Sequence, residues 1–158
     1  MLHIVYGGSA SGKSSYAESF AMSLQGEGRL LYIATMYPYK WNTTEIDPET
    51  MQRIERHRAM RADKGFDTVE CYRHVEHIVA KRQDVLLLEC MSNLLANEMY
   101  LEPDSNAGSD MAETMSPVSN KIVQALIDLS TRVQELVIVT NDVFSDGGSL
   151  TYDESTRE

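Results

Sequence analysis

A chain of 158 residues, 42% hydrophobic and 24% charged, is long enough to bury a core, which excludes the fibrous and disordered classes. Its 24 acidic against 14 basic residues give a net charge of −10, which argues against broad binding to nucleic acid or to an anionic membrane. Two cysteines, Cys71 and Cys90, are too few for a disulfide framework, and with neither an apolar leader nor a membrane-length run the chain reads as cytoplasmic.

LHIVY (Leu2 to Tyr6) predicts a short strand, followed at once by GGSASGKSS and a helical pattern, YAESFAMSLQ, closed by Gly26. RLLYIAT (Arg29 to Thr35) predicts a second strand, apolar on both faces as buried parallel strands are. MYPYKWNTTEI reads as a loop. Asp47-Pro48-Glu49 then starts a helix, with a capping side chain, a proline whose missing N–H costs nothing there, and an early acid; it should stop near Gly65. FDTVECY alternates like a strand and HVEHIVAKR reads as a short helix. DVLLLEC (Asp84 to Cys90) is the most hydrophobic strand signal, and a helix over about Asn93 to Tyr100 follows it. LEPDSNAGSDMAETMSP (Leu101 to Pro117) is acidic and loop-like, a candidate mobile insertion. A helix over about Val118 to Arg132 leads into the apolar strand ELVIVTND, and YDESTRE (Tyr152 to Glu158) resembles the first turns of a further helix. Strands alternating with helices predict one α/β domain over residues 1–158, a mostly parallel sheet with helices on both faces, apparently truncated at its C-terminus.

Gly7-Gly8-Ser9-Ala10-Ser11-Gly12-Lys13-Ser14 matches the phosphate-binding pattern G-x-x-x-x-G-K-[ST] in full, between a strand and a helix. Its glycines let backbone N–H groups converge on phosphate oxygens at the positive end of the helix. Lys13 is expected at the β and γ phosphates and the Ser14 hydroxyl at Mg²⁺. Such a site takes a carboxylate from the end of another strand. Glu89 is the metal-side candidate, with Asn141-Asp142 the other polar strand end; its bland alternative is a cap for the next helix.

Five of the 14 cations fall within RIERHRAMRADKG, Arg53 to Gly65, around His57. On a helix Arg53, His57 and Arg61 share a face with Arg58 beside it, and like charges at this spacing repel. Three readings stay open from spacing alone: a solvated basic helix, an arginine clamp for phosphate, or a neutral histidine that attacks phosphorus.

GGSASGKSSYAE, LYIATM, RIERHRAMR, FDTVEC, LLLECMSNLL and VIVTNDV, in this order and over nearly the whole chain, resemble the bifunctional adenosylcobinamide kinase/adenosylcobinamide-phosphate guanylyltransferase family, of P-loop NTPase fold. The resemblance implies an enzyme with ATP and GTP as substrates. A nucleoside triphosphate would phosphorylate adenosylcobinamide. GTP would then guanylylate a histidine, and the GMP would pass to adenosylcobinamide phosphate. The family's R-I-x-x-H-R pattern puts that role on His57, with Lys13 the other catalytic residue. Arg53, Arg58, Arg61, Glu70 and Glu89 join Gly7 to Ser14 as nucleotide-binding residues, and Ser14 with Glu89 would hold Mg²⁺. It further implies a homo-oligomer, a trimer, and a small corrinoid as partner, with neither nucleic acid nor membrane. Departures are Arg61-Ala62 and Gly65-Phe66 where many members have R-P-x-x-W, Thr140-Asn141-Asp142-Val143 for T-N-E-V, and the missing final helix and strand.

His3 reads as structural, and His74 with His77 as a solvent-facing pair. The tyrosines of MYPYKW read as a surface loop or as a cover for corrinoid or guanine. The alternative function is a P-loop small-molecule kinase without a guanylyl step. Less favoured is a nucleotide switch, for which N-K-x-D is lacking.

Overall fold

Runs that are apolar at every position need cover on both faces, and a parallel sheet between helical layers provides it. The computed structural model describes residues 1–8, 10–40, 43–101 and 111–141. In chain order these form β1 (Leu2–Gly7), α1 (Lys13–Leu24), β2 (Leu30–Ala34), α2 (Pro48–Arg61), β3 (Phe66–Glu70), β4 (Val85–Glu89), α3 (Met91–Tyr100), α4 (Met111–Arg132) and β5 (Glu135–Asn141). The five strands lie parallel in the order β1-β5-β4-β2-β3. This is an α/β fold of the P-loop NTPase kind.

Period-two alternation sorts the strand residues onto two cores. Leu31, Ile33, Leu86, Leu88, Leu136 and Ile138 face α3 and α4, where Leu94, Leu126 and Leu129 cover them. Leu30, Tyr32, Val85, Leu87, Val137 and Val139 face α1, which presents Ala17 and Ala21. Residues 85, 87 and 89 alternate onto one face, so Glu89 leaves the sheet on the side that α1 covers. At the opposite end Asp84, 1% exposed, accepts hydrogen bonds from the Arg29 guanidinium at 2.6 Å and the Lys81 N–H at 2.7 Å. A Cβ on Gly28 would stand 1.9 Å from the Gln83 carbonyl oxygen, so only glycine permits this approach of the two chain segments.

Three local expectations need correction. HVEHIVAKR is a single 3₁₀ turn, Val75–His77, rather than a helix. His74 is left-handed with φ of 58°, β-branched Val75 and Ile78 drop into the core, and Asp84 takes the Lys81 N–H that a helix would use. The last helix begins at Met111, inside the stretch read as loop, and runs through Pro117. Ile122, Leu126 and Leu129 bury at about 2 kcal/mol each, which together outweigh the ~3 kcal/mol of an internal proline. The helix after β4 starts at Met91, two residues early. Trp41, residues 102–110, Asp142 and YDESTRE lie outside the described residues. Among the described residues no helix is long and apolar enough to cross a membrane.

Candidate active site

The chain turns from β1 into α1 through Ala10 with φ of 53° and Gly12 with φ of 81°. Left-handed residues of this kind turn successive N–H groups towards one concave side. Gly12 caps α1, so the loop opens at a helix N-terminus, where partial positive charge gathers. Lys13 Nζ donates to the Gly8 carbonyl at 3.0 Å, which folds the ammonium back over the loop. Ser14 stands in the first turn of α1 and its hydroxyl donates to Glu89 Oε1. Ser9 lies outside the described residues.

Strand order makes that contact less obvious than it looks. The neighbour of β1 is β5, whose Asn141 pairs with Gly7, and β4 lies one strand farther. α1 crosses both, and thereby brings Ser14 over the end of β4. The end of β4 is tied to β2 by Thr35, which is fully buried. Its hydroxyl lies 2.9 Å from the Glu89 carbonyl and 3.0 Å from that of Cys90, and it accepts the Cys90 N–H at 2.8 Å. Asn97 of α3 donates to the Thr35 carbonyl at 2.7 Å. The Tyr32 hydroxyl donates to Glu89 Oε2 at 3.0 Å, so both carboxylate oxygens are engaged.

α2 forms the facing wall. Lys13, Ser14, Arg53, His57, Arg58, Arg61, Glu70 and Glu89 all line one cleft of about 1,020 Å³. Among the described residues Arg53 and Arg56 have no ion-pair partner, and nothing hydrogen-bonds the His57 ring. Arg58 pairs with Glu70, yet both are more than 40% exposed, so the pair contributes under about 1 kcal/mol and yields readily to an anion. Arg61 does not share the solvent exposure that the solvated-helix reading implies: it is 5% exposed, with its guanidinium 3.4 Å from the Tyr32 ring centroid and its Nε buried without a hydrogen-bond partner among the described residues. Lys64 bonds not to the histidine's surroundings but to buried Glu18 of α1, at 2.5 Å. Tyr37, Tyr39 and Tyr72 meet edge-on at 5.3 Å and line the cleft beyond α2. Burial, then the Glu70 charge, pushes the Tyr72 phenol up to about 12.

Residues 3–154 match the model of the family described as cobinamide kinase / cobinamide phosphate guanyltransferase. The chain belongs to this family. It is 31% identical over 151 residues to the bifunctional adenosylcobalamin biosynthesis protein CobU of Escherichia coli (strain K12), covering 90% of this chain and 76% of that protein. The protein of the same name from Salmonella typhimurium (strain LT2) is 31% identical over 150 residues, with the same coverage. Against this family frame, the cleft unites the phosphate loop, the strand-end acid and the basic helix on elements that are far apart in sequence.

The remaining candidates take other places. His3 Nε2 lies 2.6 Å from Glu135 with its ring edge against Phe20, remote from the cleft. His74 and His77 stack at 5.5 Å, and among the described residues no group of three or more His, Cys, Asp or Glu could hold a metal. Both thiols are free and half-buried, and burial pushes Cys71 up to about 11. Sequence reasoning missed Tyr32, Thr35 and the Glu18–Lys64 pair. A tyrosine inside an otherwise apolar parallel strand was the available signal, because a buried phenol needs a hydroxyl partner.

Proposed function

We propose that this enzyme phosphorylates adenosylcobinamide with a nucleoside triphosphate and transfers GMP from GTP to adenosylcobinamide phosphate through His57. Family membership makes it an enzyme of cobalamin biosynthesis with kinase and guanylyltransferase roles. The observation that carries the residue-level reading is the His57 ring, which makes no hydrogen bond among the described residues, in the same cleft as Lys13, Ser14 and Glu89.

In the kinase step the substrate hydroxyl oxygen attacks the γ-phosphorus, the β–γ bridge oxygen leaves with the nucleoside diphosphate, and the hydroxyl proton is released. In the second reaction a His57 ring nitrogen attacks the α-phosphorus of GTP. A P–N bond forms and pyrophosphate leaves. A phosphate oxygen of adenosylcobinamide phosphate then displaces the imidazole, giving adenosylcobinamide-GDP. Lys13 and the loop amides cradle phosphate in both reactions, and Arg53 and Arg58 offer it forked donors, while Arg61, its guanidinium over the Tyr32 ring, borders the same nucleotide wall. Glu70, paired with Arg58, stands at the nucleotide wall. The Ser14 hydroxyl and Glu89 carboxylate are hard oxygen donors suited to Mg²⁺, which keeps phosphate and water ligands rather than needing an all-protein cage. When bound, that ion neutralises charge on the transferring phosphate.

We further propose one catalytic domain over residues 1–158, a cytoplasmic location and a homotrimer; light scattering of the purified protein tests the last. The central test is intact mass after incubation with GTP and Mg²⁺. Addition of one GMP, labile to acid and stable to base, is expected, and His57→Ala should lose the adduct while keeping cobinamide phosphorylation. Labelling of the His57→Ala protein overturns the assignment. A wild-type protein that phosphorylates cobinamide without any adduct would instead be a kinase alone.

A further inference from the structure

The phenol of Tyr32 has one function visible in its bonding. Its ring is 4% exposed among apolar neighbours, where phenylalanine would pack as well without a hydroxyl to satisfy. That hydroxyl donates to Glu89 Oε2, while Oε1 receives the Ser14 hydroxyl. Register explains the reach: Ala34 pairs with Glu89, and Tyr32 is the diagonal neighbour on the same face.

The ring itself is fixed from its other sides. Phe66 meets it edge-on at 6.0 Å, and Arg61, the last residue of α2, lies over its face at 3.4 Å. Arg61 stands one helical turn beyond His57, and three residues farther Lys64 bonds to Glu18 of α1. The end of the histidine-bearing helix is thus joined to both the phosphate-loop helix and the tyrosine that holds the acid.

We propose that Tyr32 is a positioning residue, which holds the Glu89 carboxylate in one orientation at the phosphate loop, and that Arg61 fixes the Tyr32 ring from α2. This rests on the reading of Glu89 as the metal-side carboxylate. With one oxygen held by the phenol, the carboxylate presents the other to Ser14 and the incoming cation. Without that hold it rotates. Groups that orient a metal's ligands in this way alter metal affinity by about 10- to 100-fold when removed.

The test is Mn²⁺ binding, followed by electron paramagnetic resonance on the full chain with α,β-methylene-GTP, which cannot guanylylate His57. Tyr32→Phe keeps the ring, its stack and its volume. It should weaken Mn²⁺ binding about tenfold while leaving metal-free binding of the analogue within about twofold, which also reports that the protein is folded. Glu89→Gln should weaken Mn²⁺ binding too, and Tyr32→Phe/Glu89→Gln should be no weaker than Glu89→Gln alone. If Glu89→Gln weakens the metal and Tyr32→Phe does not, the positioning role is refuted and the metal-side reading stands. If Glu89→Gln has no effect, the metal-side reading itself falls. Full additivity in the double variant also refutes the proposal, because Tyr32 would then act apart from Glu89. Arg61→Met should weaken Mn²⁺ binding in the Tyr32 protein and add nothing in Tyr32→Phe; equal losses in both backgrounds overturn the role given to Arg61.

Discussion

Replacing Thr35 by valine exchanges a hydroxyl for a methyl at almost constant volume, in a site with no exposure. The wild-type hydroxyl has three backbone neighbours, but their losses are unequal. The Glu89 carbonyl also receives the Thr35 N–H at 3.3 Å, and the Cys90 carbonyl receives the Leu94 N–H at 3.2 Å. Each therefore keeps a donor. The Cys90 N–H, bonded to the hydroxyl at 2.8 Å, loses its acceptor. One orphaned buried donor costs about 2 kcal/mol. With a urea m-value of about 2 kcal/mol/M for a domain of this size, the unfolding midpoint should fall by about 1 M. Thr35→Ser keeps the hydroxyl and removes one methyl, for which about 0.8 kcal/mol is expected. Equilibrium urea unfolding followed by circular dichroism reads both. The reasoning fails if Thr35→Val shifts stability by less than about 0.5 kcal/mol, or if serine is worse than valine.

Lys13→Ala should lower both cobinamide phosphorylation and GMP-adduct formation by at least about a hundredfold, measured by radiolabelled nucleotide transfer; retention of either activity would require separate phosphate sites. Lys64→Met strands the carboxylate of Glu18, 3% exposed, and should cost about 3 kcal/mol, whereas Glu18→Leu/Lys64→Met should lie within about 1 kcal/mol of wild type in the same urea assay. Burial opposes ionisation of Asp84, but hydrogen bonds from the Arg29 side chain and from the Lys81 and Arg29 N–H groups hold its carboxyl below the usual range. Its contribution should be complete above the unfolded value near about 4 and vanish as pH falls through the lower folded value. Asp84→Asn should therefore be less stable at neutral pH and lose less on acidification, as pH-dependent thermal melts would show.

The strands were readable because Leu30 to Ile33, Val85 to Leu88 and Leu136 to Val139 carry apolar side chains without interruption, which only a two-sided burial satisfies. The phosphate loop was readable because its glycine and lysine spacing is local. Partners across the sheet were not. That Glu89 meets Ser14 over an intervening strand follows from the order β1-β5-β4, and no local pattern encodes this order. The same holds for Lys64 and Glu18, which are 46 residues apart. His74 to Arg82 carries helix-like spacing, but burial of Val75 and Ile78 and the side-chain bond to Asp84 overrode it. Pro117 drew the helix boundary too late because a proline reads most simply as a start.

The alternation of β4 also limits how this chain tolerates changes in length. Glu89 faces α1 only because residues 85, 87 and 89 fall on one side, while Leu86 and Leu88 fall on the other. Deleting a single residue between Val85 and Leu88 would turn the carboxylate into the hydrocarbon beneath α3 and α4, and would turn a leucine towards the phosphate loop. A gap of that kind would exchange chemistry for packing on both faces at once. Length variation is better accommodated in the turns at the opposite end of the strands, except where Gly28 lies against Gln83.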